Sequence, residues 1–211
     1  MVREVTFKLY KFDELDDKVK EKVLEDYRCV LVEDYDWVEG VLNYAESAGL
    51  EVYEFDINRG YVKLKFEKGM TVLSSIKEIC RNFDKEEEIY KLAKEYYDEI
   101  VKYFKEDEEI QEFMQAQKCP ITILDMKIDE FIEHYPDSML EDIARYWLVD
   151  NRYDDAYLRD MGNLFLSILE DEFNYLVSDE AIIECFNNND YEFFENGKIF
   201  NAFAISCVIS N

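Results

Sequence analysis

The chain has 211 residues, 50 of them Asp or Glu against 24 Lys or Arg, for a formal charge of −26, yet it is 48% hydrophobic and 16% aromatic. A disordered acidic tail lacks the aromatics needed to bury a core, so this composition predicts a packed interior under a strongly negative skin. Such a skin excludes nucleic acid, anionic membrane and ATP-like substrates as direct ligands and favours basic partners.

The length suffices for one large domain or two small ones, with no need of covalent staples. Five cysteines (Cys29, Cys80, Cys119, Cys185, Cys207) are widely spaced, and none forms a C-x-x-C pair. That is the pattern of reduced thiols, not of a disulfide framework or a zinc site. The opening MVREVTFKLYKF has no signal-peptide core, and no stretch approaches eighteen apolar residues, so a soluble, cytoplasmic protein is expected. Salt adaptation would suppress Lys and large apolar groups, but Lys outnumbers Arg 17 to 7 and Phe with Tyr reach 31. The negative charge also exceeds the modest surplus that solubility requires.

In chain order, Val2 to Tyr10 alternates polar and apolar residues and predicts a strand. Asp13 to Asp17 supplies cap chemistry for a helix from about Asp16 to Val32. A second helix, Trp37 to Ala48, ends at Gly49. Leu50 to Asp56 and Tyr61 to Glu67 alternate around Asn58-Arg59-Gly60 and predict a hairpin. Helices follow over Val72 to Arg81 and Glu86 to Gln117, the latter stopped by Pro120. Further helices fit Asp129 to His134, Ser138 to Val149, Ala156 to Leu176 and Asp179 to Asn187. The chain then turns at Glu195-Asn196-Gly197-Lys198 between strands Tyr191 to Phe194 and Ile199 to Phe203, the last reaching on toward Ile209. The fold class is α+β: an N-terminal β-α-α-β-β unit and a C-terminal hairpin, forming a small antiparallel sheet packed with a helical middle region. One domain over 1–211 is expected, with a boundary near residue 84 as the alternative.

Catalytic patterns are scarce. One histidine, His134, leaves little scope for His-activated nucleophiles or a multi-histidine metal site. No nucleophile elbow, Walker loop or dinucleotide fingerprint occurs. The run from Asp150 to Asp155 begins like a calcium loop but places Arg152 at a ligand position, Asp155 where glycine is required and Met161 where glutamate is required. Asn187 to Asp190 fails similarly, with Lys198 at the twelfth place. No cofactor and no metal site is expected, nor enzymatic activity.

The acids remain. Asp13, Glu14, Asp16 and Asp17 open the first helix, and Glu33, Asp34, Asp36 and Glu39 lie beyond it. Glu86, Glu87 and Glu88 open the long helix, whose second half carries Glu106, Asp107, Glu108, Glu109 and Glu112. Asp150, Asp154, Asp155 and Asp160 follow, then Glu170, Asp171 and Glu172. Carboxylates four apart on a helix rise about 6 Å, on the scale of a nucleic-acid backbone's phosphate repeat of about 3.4 Å per strand. Rows of acids on rigid helices therefore suit a protein surface built to grip that backbone. The predicted partner-binding set is Asp34, Asp36, Glu39, Glu86, Glu87, Glu88, Glu106, Asp107, Glu108, Glu109 and Glu112.

The stretch YKFDELDDKVKEKVLEDYR, with DW, AESAGLEVYEFDINRG and YVKLKF after it, resembles a family of small acidic proteins of bacteriophages and mobile elements. The ending SDEAIIECFNNNDYEFFENGKIF is similar to that family's C-terminal hairpin. The resemblance covers about the first seventy and last thirty-five residues and brings no catalytic residues with it. It implies a setting in the host cell's cytoplasm, where acidic phage proteins act as anti-CRISPR or anti-restriction DNA mimics. The expected function is an anti-defence inhibitor, a CRISPR effector being the first choice of partner, that blocks DNA access to a basic surface. The alternatives are a sponge for a signalling nucleotide, which would need clustered arginines, and a carboxylate-metal hydrolase.

Overall fold

The computed structural model describes residues 6–33, 35–106, 108, 112 and 152–200. These hold six α-helices and one two-stranded antiparallel sheet, so the chain is a mixed α+β protein with a small sheet. The helices are α1 (Asp17–Asp26), α2 (Glu39–Ser47), α3 (Val72–Asn82), α4 (Glu88–Glu106), α5 (Arg152–Leu176) and α6 (Asp179–Asn188); the strands are β1 (Leu50–Asp56) and β2 (Tyr61–Phe66). The chain divides into two compact units, a terminal one (Met1–Trp37 with Asp171–Asn211) and a central one (Val38–Glu170).

In the central unit, α2 is amphipathic, burying Val41 and Ala45. It ends at Gly49, whose φ of +71° closes the helix in the left-handed region. Leu50 then starts β1 in register with Phe66 of β2, and a bulge between Val52 and Glu54 leaves Tyr53 on the surface. β2 follows period two: Val62 and Leu64 are buried, whereas Lys63 and Lys65 face solvent beside Glu54 and Glu51. Thr71 caps α3 reciprocally: its Oγ1 accepts from Ser74 N at 3.4 Å, and Ser74 Oγ accepts from Thr71 N at 2.6 Å. The interior gathers Ile76 and Ile79 of α3, Ile89, Tyr97 and Ile100 of α4, and Tyr157, Met161 and Phe165 of α5. At Gly162 an added Cβ would lie 2.5 Å from the Val62 carbonyl oxygen, so glycine lets α5 approach the β2 backbone.

The terminal unit joins the two ends of the chain. Phe12, Leu15 and Val23 pack with Ile182, Phe186 and Phe193 in one buried cluster. Phe186 and Phe193 meet edge-to-face at 5.1 Å, and Tyr27 meets Phe186 at 5.9 Å. Tyr10 and Phe193 exchange both backbone hydrogen bonds, at 2.9 and 2.8 Å. Gly197, with φ of +84°, turns the chain at a point where a Cβ would meet Val23 Cγ2 at 2.7 Å.

Several expected boundaries move. The expected strand Val2 to Tyr10 is, over residues 6–10, a single bridge at Tyr10; residues 1–5 lie outside the described residues. The first helix stops at Asp26 rather than Val32, because the β-branched Val30 and Val32 favour helix poorly and Arg28 is drawn to the Val177 carbonyl and Asp179. The second begins at Glu39, after a short 3-10 turn over Tyr35–Val38. The long helix starts at Glu88, two residues late, since Asp84 to Glu87 forms a capping turn. α5 starts at Arg152, four residues early, its first turn accepting Asp154 and Asp155 at the positive end of the dipole. Of the expected C-terminal hairpin, the described residues form the bridge Phe193–Ile199, with Phe194 N–Lys198 O and Phe200 N–Glu192 O bonds of 2.9 and 2.7 Å. The helices expected over 129–134 and 138–149, the end of the long helix over 113–117 and the residues after Phe200 lie outside the described residues.

Candidate functional site

Placed in the fold, the acids chosen from sequence have unlike roles. Asp36 is exposed in the 3-10 turn of the terminal unit, and Glu39 is exposed in the first turn of α2 in the central unit. Asp34, Asp107 and Glu109 lie outside the described residues. Glu106, Glu108 and Glu112 are helical and exposed.

The Glu86–Glu88 triplet separates into three functions. Glu86 is exposed. Glu87 is half-buried, accepting the Asp84 N–H at 2.8 Å through Oε1 and the Tyr44 hydroxyl at 2.8 Å through Oε2. Burial first, and this bond to Glu87 second, hold the Tyr44 hydroxyl far above the ordinary phenol range. Glu87 is therefore a capping and packing residue, with both oxygens occupied. Glu88 is exposed but pairs with Lys91 at 2.8 Å.

Charge along α4 is also nearly balanced. Its described helix carries five acids (Glu88, Glu95, Asp98, Glu99, Glu106) and four lysines (Lys91, Lys94, Lys102, Lys105), and Lys94 pairs with Asp98. The hairpin is balanced likewise, through Lys63–Glu54, Lys65–Glu51 and Arg59–Asp56.

The excess of acid lies elsewhere. From Asp160 to Glu195 there are ten carboxylates (Asp160, Glu170, Asp171, Glu172, Asp179, Glu180, Glu184, Asp190, Glu192, Glu195) and no Lys or Arg. Seven of the ten (Asp171, Glu172, Asp179, Glu180, Glu184, Asp190 and Glu195) are exposed. Asp160 belongs to the central unit, where it accepts from the Tyr96 hydroxyl at 2.6 Å and Arg159 Nε at 3.0 Å. The Tyr96 bond, ahead of the one from Arg159, holds its carboxyl below the usual range despite partial burial. In the terminal unit Arg28 reaches Asp179 at 3.1 Å and Lys11 reaches Asp190 at 3.4 Å. Among the described residues, Glu172, Glu180 and Glu184 form no ion pair. The signal for this stretch was present in the sequence as a gap in basic residues, rather than as a dense acid run.

The chemistry of these surfaces is charge presentation. Among the described residues no three His, Cys, Asp or Glu side chains gather as a metal site. No helix of the described residues is long and apolar enough to cross a membrane. Arg152–Asp155 of the calcium-like run forms the first turn of α5 rather than a loop, and Asn187 and Asn188 close α6. His134 and Asp150 lie outside the described residues. Compared with known proteins, the chain matches no family model, no curated protein and no solved structure.

Proposed function

We propose that this chain is a non-enzymatic inhibitor that docks its carboxylates on the basic nucleic-acid-binding surface of another protein and keeps nucleic acid out. One observation carries this function: the stretch from Asp160 to Glu195 holds ten acids with no intervening Lys or Arg, seven of them on α5 and α6. Rigid helices fix the charge spacing before contact, so little ordering entropy is lost on binding. Uncompensated surface charge raises association rates with an oppositely charged partner and repels polyanions. The resemblance of the chain's two ends to acidic phage proteins makes host defence the setting, in the host cytoplasm, with a CRISPR effector the first target to test. The acids Asp34, Asp36, Glu39, Glu86, Glu88 and Glu106–Glu112 are proposed contributors. Glu87 is not among them, since its oxygens are engaged within the protein.

The test is competition at controlled salt. The chain is pre-bound to a purified effector, and double-stranded DNA is added. Blocked DNA entry, with affinity falling steeply from low to half-molar salt, supports the function, because exposed charges are screened over about 10 Å at 0.1 M. A ternary complex with undiminished DNA affinity, or binding indifferent to salt, overturns it.

A further inference from the structure

We infer that Asn196 is a site of spontaneous deamidation, that closure of the terminal unit holds it unreactive, and that isoaspartate formed there keeps the unit from closing again. This goes beyond the proposed function and does not depend on it.

Asn196-Gly197 is the one Asn-Gly pair in the sequence. Glycine has no side chain to shield its amide nitrogen, so this pair undergoes ring closure more readily than other Asn-X pairs. The Gly197 nitrogen, losing its proton, attacks Cγ of Asn196 and expels the side-chain nitrogen as ammonia, leaving a succinimide. Water then opens the ring. Cleavage of the Cγ–N bond gives aspartate, and cleavage of the bond from the backbone carbonyl to that nitrogen gives isoaspartate. Either product carries one new carboxylate, and neither route oxidises or reduces anything.

Both reacting groups are committed in the folded turn. Glu195-Asn196-Gly197 is a three-residue loop with Gly197 in the left-handed region at a φ of +84°. The Gly197 N–H donates to the Phe194 carbonyl at 2.9 Å, so the nucleophile is tied down. Asn196 Oδ1 accepts from Lys198 N at 3.1 Å, which fixes the side-chain amide as well. Asn196 itself is exposed, but Gly197 is buried. An added Cβ on Gly197 would lie 2.7 Å from Val23 Cγ2 and 3.1 Å from Val19 Cγ1, so the turn is wedged against α1. Rotating this peptide toward Cγ requires the turn to leave that seat. Reaction therefore proceeds from the opened unit, in proportion to how often it opens.

Isoaspartate routes the main chain through Cβ and Cγ and so adds one backbone atom between positions 196 and 197. The closed turn has no slack for it. Phe194 N bonds Lys198 O at 2.9 Å across the same loop, and Val23 and Val19 bar Gly197 from shifting inward. Val23 and Phe193 belong to the buried aromatic cluster, so a displaced turn disturbs the contact that joins the chain's two ends. Aspartate at 196 adds the same charge without lengthening the chain and leaves the turn able to close.

The test incubates the full chain at neutral pH in native buffer and in urea, with deamidation at Asn196 followed by peptide mapping and mass spectrometry. The native rate should be lower by about tenfold or more. Val23→Ala, which loosens the seat of the turn, should raise the native rate several-fold, whereas Gly162→Ala in the central unit should not. The isoaspartyl protein, isolated from urea and returned to native buffer, should lose amide-exchange protection at Tyr10 and Phe193. Asn196→Asp should keep it. No reaction at Asn196 in urea overturns the site. Equal rates in native buffer and urea, an unchanged rate in folded Val23→Ala, or equal acceleration by Gly162→Ala overturns gating by the terminal unit. Full protection in the isoaspartyl protein, or its loss in Asn196→Asp, overturns the block to closure.

Discussion

The Tyr157 hydroxyl lies 2.8 Å from Ser75 Oγ, and both groups are sealed inside the central unit. Ser75 gives its own proton to the Ala48 carbonyl at 2.7 Å, so Tyr157 is the donor to Ser75. One hydroxyl thus satisfies α5, α3 and the end of α2 together. Burial holds the phenol far above its ordinary range, so it remains neutral and able to donate. Ser75→Ala orphans two buried polar groups and should cost about 2 kcal/mol in urea unfolding. Adding Tyr157→Phe to Ser75→Ala should recover part of that loss, as one of the two orphans disappears.

Gly162→Ala should destabilise although alanine favours helix. The helix-propensity gain is about 1 kcal/mol, but the new Cβ meets a backbone carbonyl that cannot rotate away. Overpacking of this kind costs about 1–3 kcal/mol, so a net loss should appear as a lowered Tm. Gly40, with open space where its Cβ would stand, is the control: Gly40→Ala should be neutral or stabilising.

Asp160 makes one contribution to stability dependent on pH. Its carboxyl titrates lower in the folded protein than in the unfolded chain, through Tyr96 first and then Arg159, against partial desolvation. The contribution is present above the unfolded value of about 3.9 and is lost as pH falls through the folded one. Asp160→Asn should cost about 1 kcal/mol at neutral pH, with solvent screening keeping the figure small, and the gap to wild type should narrow below about pH 4. Urea melts of both proteins across that window read the difference.

Two adjacent glutamates should respond differently to substitution. Glu87→Ala removes the cap at Asp84 N and the partner of Tyr44, and should destabilise by about 1–2 kcal/mol. Glu86→Ala should leave the melt within about 0.5 kcal/mol of wild type. Equal effects at the two positions would remove the distinction between a structural and a surface acid.

Converting Glu106, Asp107, Glu108 and Glu109 together to Gln or Asn should leave the helical circular dichroism intact. Relief of like-charge repulsion adds a few tenths of a kcal/mol per pair. Association with a basic partner should slow, since long-range charge acts chiefly on the on-rate. An unchanged on-rate would leave the density of acids there with no part in binding.

Local pattern made much of this fold legible. The β1–β2 hairpin announced itself through period-two alternation on both sides of Asn58-Arg59-Gly60, and its observed strands differ from the expected ones by one residue at Glu67. α3 and α6 were readable because Thr71 and Ser178 are strong N-caps. What stayed hidden depends on distant partners. Whether Tyr10 belongs to a long strand or a single bridge is decided by Phe193, far along the chain. Arg28 ends a helical pattern by binding the α5–α6 turn, which no local window contains. The acids follow the same rule. Density marks Glu86 to Glu88, but only the positions of Tyr44 and Lys91 reveal which carboxylates are engaged.

The terminal unit is assembled from stretches at opposite ends of the sequence, and this sets a timetable for biosynthesis. Lys11 bonds the carbonyl of Asp190 across a separation of 179 residues. As the ribosome emits the chain, Val38–Glu170 is complete before α6 exists, while Phe12, Leu15 and Val23 have no partners to cover them. Closing a flexible loop of that size costs about 4–5 kcal/mol of chain entropy, which contacts available only after Glu170 has been made must offset. The aromatic cluster therefore cannot form before α6 has been made, and until then Phe12, Leu15 and Val23 stay open to chaperones and proteases.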